Sequence, residues 1–262
     1  YDIVDSANAA RYKEVTKKVL IPSLKKLQDV LINITLREAE TVQIGRTHGQ
    51  HAVPITFGFS IAGYVSRLGG SIKKLKEFAE ELLGKFSGAV GPYNASSLFF
   101  DDPEGFEAEI LGELGLVSAE HSTQIVPPEA LTRLFCEITI VAGILANLAD
   151  DMRHLQRTEI GEVGEEFEEA QVGSSTMPQK VNPIFFENSE GNIQMANSIW
   201  EGMGRKLAVS RLQRDLSDST TVRNIGVGLG YGLLAYRNIL AGLRRVHPNT
   251  ELMKGKLNEN WV

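Results

Sequence analysis

The chain has 262 residues, 42% hydrophobic and 23% charged, which suits a globular protein with one large core or two modest ones. A net charge of −6 excludes a general nucleic-acid or membrane-surface binder, although a local cluster of cations could still hold an anionic ligand. The single cysteine, Cys136, excludes an internal disulfide and fits a reducing, cytoplasmic setting; its apolar helical surroundings predict inert packing.

The first pattern, from about Ile3 to Leu36, is helical, with Pro22 as its kink. Val42-Gln43-Ile44 is the best strand signal and is very short. Gly45-Arg46-Thr47-His48-Gly49-Gln50 follows, ahead of a helix expected to begin near Pro54. Ile61, Val65, Leu68, Ile72, Leu75, Ala79 and Leu82 then keep the three-and-four spacing of an amphipathic helix. Residues 87–103 form a long connection rich in small and turn residues. Pro127 and Pro128 suit a helix start, and from Leu131 to Leu155 the apolar residues again recur at helical spacing. The connection at 159–183 is acidic first and Gly- and Ser-rich later, which predicts a mobile lid. A fourth helix runs from near Ile184 toward Leu207, and a fifth from about Ser219 to Val246, before His247-Pro248.

Helices of roughly thirty residues span roughly 45 Å, so the fold class is all-α, an elongated bundle of long helices. No uninterrupted apolar run reaches membrane-spanning length: Gly143 and Asn147 interrupt the stretch from Ile138 to Ala149. The chain opens at Tyr1 inside a helical pattern and stops at Trp261-Val262. The expectation is a central piece of a longer protein, with 1–247 a helical-bundle domain and 248–262 the start of another.

Three segments carry chemistry. In Gly173-Ser174-Ser175-Thr176-Met177-Pro178-Gln179-Lys180-Val181-Asn182-Pro183, two serines, a lysine and an asparagine share one Gly- and Pro-bracketed loop, and Glu187 follows. Serine becomes a usable base where N–H groups and a cation stabilise its anion. The plain alternative is a Ser-rich linker, which Met-Pro and Asn-Pro make too stiff. His48 can exchange a proton near neutral pH; alone, it reads more readily as a loop histidine capping the backbone. Arg211-Leu212-Gln213-Arg214-Asp215, with Ser219, Thr220 and Arg223, could hold a phosphate or carboxylate, or merely cap a helix. No His/Cys/Asp/Glu cluster has metal-ligand spacing, and no Gly-rich nucleotide fingerprint is present, so neither metal nor cofactor is expected.

Together these segments resemble the fumarase/aspartase superfamily and, within it, the adenylosuccinate lyase family. The resemblance rests on the 173–183 loop, Gly45 to Gln50, Thr123-Gln124-Ile125, Phe186 to Asn192 and Arg211 to Thr220. It implies a homotetramer with active sites shared between chains and cleavage of a C–N bond with release of fumarate from adenylosuccinate or SAICAR. By resemblance Ser174 is the base and His48 the acid that protonates the departing nitrogen. Lys180 and Asn182 hold the developing charge, and Glu187 orients His48. Thr47, Gln124 and Ser175 contact the substrate, and Arg214, Ser219, Thr220 and Arg223 bind its phosphate and carboxylates. The family's N-terminal domain, which carries another active-site histidine, has no counterpart in this stretch, which is therefore expected to be inactive alone. Argininosuccinate lyase, fumarase and a non-catalytic helical scaffold are the alternatives.

Overall fold

A computed structural model describes residues 1–165, 177 and 180–260. Helix accounts for 64% and strand for 10%. Helix α1 (Asp2–Val15) continues through a π-helical turn (Thr16–Leu20) into α2 (Ile21–Arg37). At Pro22, where a kink was expected, the helix instead answers the proline with a π turn. A proline offers no N–H and its ring crowds the carbonyl four residues back. The chain widens by one residue just before it, so that the Ile21 N–H donates to the Thr16 carbonyl, five residues earlier.

The other helices are α3 (Phe57–Glu80), α4 (Pro103–Glu113), α5 (Glu129–Leu155), α6 (Ile184–Lys206), α7 (Asp218–Val222), α8 (Ile225–Leu243) and α9 (Thr250–Asn260). Helix α4, which the sequence reading did not foresee, has a clear start signal: Asp102 accepts a hydrogen bond from the Gly105 N–H at 2.8 Å, and Pro103 follows it. The fifth helical pattern is broken into α7 and α8. At the break the Asn224 side chain donates to the Thr220 carbonyl at 2.9 Å, competing with the helical ladder.

A helix start near Pro54 is not found. Strands β1 (Val42–Thr47) and β2 (Gln50–Thr56) form an antiparallel hairpin, and α3 begins only at Phe57. Two features hid it. The register shifts between Ile44 and Arg46, which breaks the alternation. At Gly45 a Cβ would lie 2.8 Å from the Val53 carbonyl oxygen, so only glycine allows this approach. Pro54 is tolerated because, among the described residues, β2 pairs on one side only. Two short pairings complete the strands: β3 (Leu83–Gly84) parallel to β4 (Val117–Ser118), and β5 (Val163–Glu165) antiparallel to β6 (Val246–Pro248).

The chain divides into two compact units. One comprises residues 1–22, 71–141 and 195–230. Its core holds Leu75, Leu82, Leu111, Leu134, Phe135, Trp200, Met203 and Ile225, and Tyr12 meets Phe135 edge-on at 6.0 Å. The other comprises residues 23–70, 142–194 and 231 onward. Its core holds Leu24, Leu27, Leu31, Ile34, Phe57, Ile61, Leu148, Phe186 and Ile239. Each such side chain contributes roughly 1.5–3 kcal/mol by leaving water. In this unit α8 rides closely on α6. A Cβ at Gly242 would stand 2.8 Å from the Phe186 ring, and the Ser189 hydroxyl donates to the Ala235 carbonyl at 3.1 Å.

Cys136 is exposed rather than packed, because the inward face of α5 is carried by Leu134, Phe135, Ile138 and Val141. Among the described helices, only α5 is long and apolar enough to cross a membrane by length and composition; half of its apolar window is buried inside the chain.

Candidate active site

The histidine of the Arg-Thr-His motif sits at the tip of the hairpin. His48 and Gly49 have φ of 55° and 73°, the signature of a two-residue type I′ turn, and Thr47 pairs with Gln50 to close it. Thr47 and His48 are exposed. Below the turn Arg46 points inward and grips Glu162 with two nitrogens; Nη1 lies 3.0 Å from Oε2 and Nη2 bonds Oε1. Gln43 also donates to Glu162 Oε2, at 3.1 Å, and is itself held by the Ser60 hydroxyl at 3.0 Å. Burial opposes ionisation of Glu162. The hydrogen bonds from Arg46 and Gln43, with the charges of Arg46 and Lys256, outweigh it and hold the carboxyl below the usual range.

A second cluster lies in the same unit. Lys180, Asn182 and Glu187 line a cavity of about 410 Å³ with Arg153, His154 and Arg157. The backbone fixes this corner: Lys180 N–H donates to Met177 O, Ile184 N–H to Asn182 O and Glu187 N–H to Pro183 O. Glu187 occupies the first turn of α6, where the helix dipole favours a carboxylate. Arg153 pairs with Glu190, and His154 Nε2 lies 3.7 Å from Asp150 Oδ2. Burial pushes the nearby Glu165 carboxyl up; Gln156 and Arg245 oppose it, and the negative charge of Glu187 adds to it. Arg153 and His154 were not foreseen as site residues. The one available signal was the spacing of Asp150, Arg153 and His154 on the last turns of a helix.

The third cluster belongs to the other unit. The Arg214 guanidinium donates to both oxygens of Asp218, at 3.2 and 3.1 Å, and to Gln124 Oε1 at 3.2 Å, while lying 3.9 Å over the Tyr1 ring. Gln124 is pinned in turn, its N–H donating to the Gln213 carbonyl at 3.2 Å. Ser219 is half-buried; Thr220 and Arg223 are exposed. Asp218 and Tyr1, absent from the sequence-derived set, hold Arg214 in place. Nearby, Asp5 accepts a hydrogen bond from the Val126 N–H at 3.1 Å and lines a small cavity of about 80 Å³ with Asn8, Tyr12 and Asp218. Burial lifts its carboxyl to about 6, against the Val126 hydrogen bond and the charges of Lys85 and Arg214.

The predicted residues therefore fall into three groups: Thr47 and His48; Lys180, Asn182 and Glu187; and Gln124, Arg214, Ser219, Thr220 and Arg223. Ser174 and Ser175, with most of the 159–183 segment, lie outside the described residues. Within this one chain Glu187 and His48 share no hydrogen bond or ion pair: one opens α6, the other tips the hairpin.

A family model described as Lyase matches residues 1–198. The chain belongs to the lyase family. A second model, Adenylosuccinate lyase C-terminal, matches residues 210–262 of this lyase chain. Adenylosuccinate lyase of Haemophilus influenzae is 38% identical over 269 residues, covering 99% of the chain and 57% of that protein. Adenylosuccinate lyase of Escherichia coli is 36% identical, with 99% and 57% coverage. Among solved structures, the 3-carboxy-cis,cis-muconate lactonizing enzyme of Pseudomonas putida superposes with a TM-score of 0.84 at 25% identity, covering 98% of the chain and 56% of that one. The chain thus spans 57% of the length of these curated relatives.

Proposed function

We propose that this chain is the central catalytic part of an adenylosuccinate lyase. The observation that carries the reading is the likeness to adenylosuccinate lyases, 34–38% identical along 99% of the chain. Lys180, Asn182 and Glu187 around one polar cavity agree with it. The reaction is a β-elimination that splits a C–N bond and releases fumarate, from adenylosuccinate to give AMP and from SAICAR to give AICAR. Ser174 removes the proton beside a carboxylate. The carbanion is best drawn as an enediolate, whose extra negative charge Lys180 and Asn182 hold. His48 protonates the nitrogen as it leaves, which would otherwise depart as a poor anion. Glu187 orients the His48 of a neighbouring chain, which is why the two need not meet within one. Thr47, Ser175 and Gln124 contact the succinyl part. Arg214, Ser219, Thr220 and Arg223 take the phosphate and carboxylates, with Arg214 held ready by Asp218 and Tyr1.

In this reading residues 1–247 form a bundle at the centre of a homotetramer, residues 248–262 begin a further domain, and the enzyme is cytoplasmic. Exposed apolar residues on the long helices, Ile140, Met195, Val227 and Leu234, support burial between copies. The test is fumarate release by the complete protein, followed by the change in purine absorbance. Ser174→Ala and His48→Ala should each lower turnover by at least about a hundredfold. A folded tetramer that leaves adenylosuccinate intact would refute the reading.

A further inference from the structure

We propose that Glu162 is a positioning residue for His48: its buried carboxylate locks the Arg46 guanidinium and so fixes where the hairpin holds the imidazole. This inference rests on the reading of His48 as the general acid. Arg46 lies two residues before His48 on β1 and is the register partner of His51 on β2, so it belongs to the last rungs before the turn. Its ladder is irregular between Ile44 and Arg46, and among the described residues the hairpin pairs with no third strand. A two-stranded ladder alone is a weak support, so the position of the tip depends on what holds the hairpin from outside.

Side chains supply the missing constraint. Glu162 is 1% exposed, and its two oxygens receive Arg46 in a fork and Gln43, with Lys256 Nζ 3.8 Å away. Its backbone is tied as well: the Glu162 N–H donates to Leu155 O at 3.0 Å, and its carbonyl accepts from the Asn249 N–H at 2.9 Å. One residue thus connects the hairpin, through its carboxylate, to the end of α5 and the residue before α9, through its backbone. A planar guanidinium held by two parallel bonds restricts both distance and tilt. Burying such a pair gains little stability over an apolar pair of the same shape, so its advantage here lies in placement. Placement matters because a displacement of about 1 Å in an acid–base group costs about a hundredfold in rate.

The experiment uses the complete protein. Glu162→Gln keeps the shape but turns one acceptor into a donor facing Arg46, and Arg46→Lys keeps the charge but loses the fork. Each should lower kcat by about ten- to a hundredfold while KM stays within about threefold, because an interaction that acts in the transition state is disturbed and binding is not. The double variant should be no worse than the poorer single, since both break one link. Folded tetramer is verified by circular dichroism and size, and rates are expressed per folded protein. A kcat within about twofold of the parent, a change confined to KM, or additive losses would overturn the proposal. So would a loss of activity that only follows a loss of folded material. His48→Ala is measured alongside. If that variant stays active, the acid assignment fails; if it is dead while Glu162→Gln is not, only the positioning role fails.

Discussion

Asp5→Asn should stabilise the protein, by an amount that grows with pH. Burial lifts the Asp5 carboxyl from the ordinary 3.8 to about 6, although the Val126 N–H and the charges of Lys85 and Arg214 pull the other way. A carboxyl that holds its proton more tightly when folded carries no penalty below its unfolded value. The penalty builds as pH rises from about 4 through about 6 and is complete above that. Each tenfold change in proton affinity is worth about 1.4 kcal/mol, so the folded state is weakened by about 3 kcal/mol at pH 8. That figure is a ceiling, because a slight opening of the small cavity readmits water. Asparagine keeps an oxygen for the Val126 N–H and carries no charge to strand. Urea unfolding of both proteins, at pH 4.5 and pH 8, measures the effect. The advantage of the variant should be about 2 kcal/mol larger at the higher pH. A difference that stays flat with pH, or an asparagine variant that is weaker throughout, would refute the reasoning.

Lys180→Met, which keeps length and removes the charge at the cavity, should lower kcat by about a hundred- to a thousandfold with a smaller change in KM, read from steady-state kinetics of the complete protein. Arg214→Lys loses the fork to Asp218 and the flat contact with Tyr1; KM should rise by about tenfold or more, and equal KM values would refute the anchoring role. Gly91→Ala places a Cβ 2.0 Å from the Ser122 carbonyl oxygen at a φ of +104°, so at least about 1–3 kcal/mol should be lost in a denaturant titration.

The long helices were legible because their apolar spacing is regular and their punctuation is explicit: Pro127 and Pro128 ahead of α5, Pro22 at the π turn. The hairpin was not, because a register shift at Gly45 and a Pro54 in its second strand both speak against a strand locally. Cys136 was misplaced because the stretch around it is apolar on more than one side, and only the packed helix reveals which face turns inward. Site residues identified by their motifs came out grouped, Lys180 with Asn182 and Glu187, and Arg214 with Gln124. Their supports did not. Arg46 and Glu162 are separated by 116 positions, and no spacing rule reaches across such a separation. Asp218 and Tyr1 were passed over because a lone acid or ring in a polar stretch looks like ordinary surface.

The turn at His48-Gly49 spans two residues with no slack. Adding or deleting one residue there would slide the two strands past each other and exchange the inward and outward rows, pulling Arg46 off its anchor. For the scaffold, as distinct from the acid that His48 supplies, this corner has to preserve its length: a swap of side chains leaves the hairpin standing, whereas an indel would re-thread it.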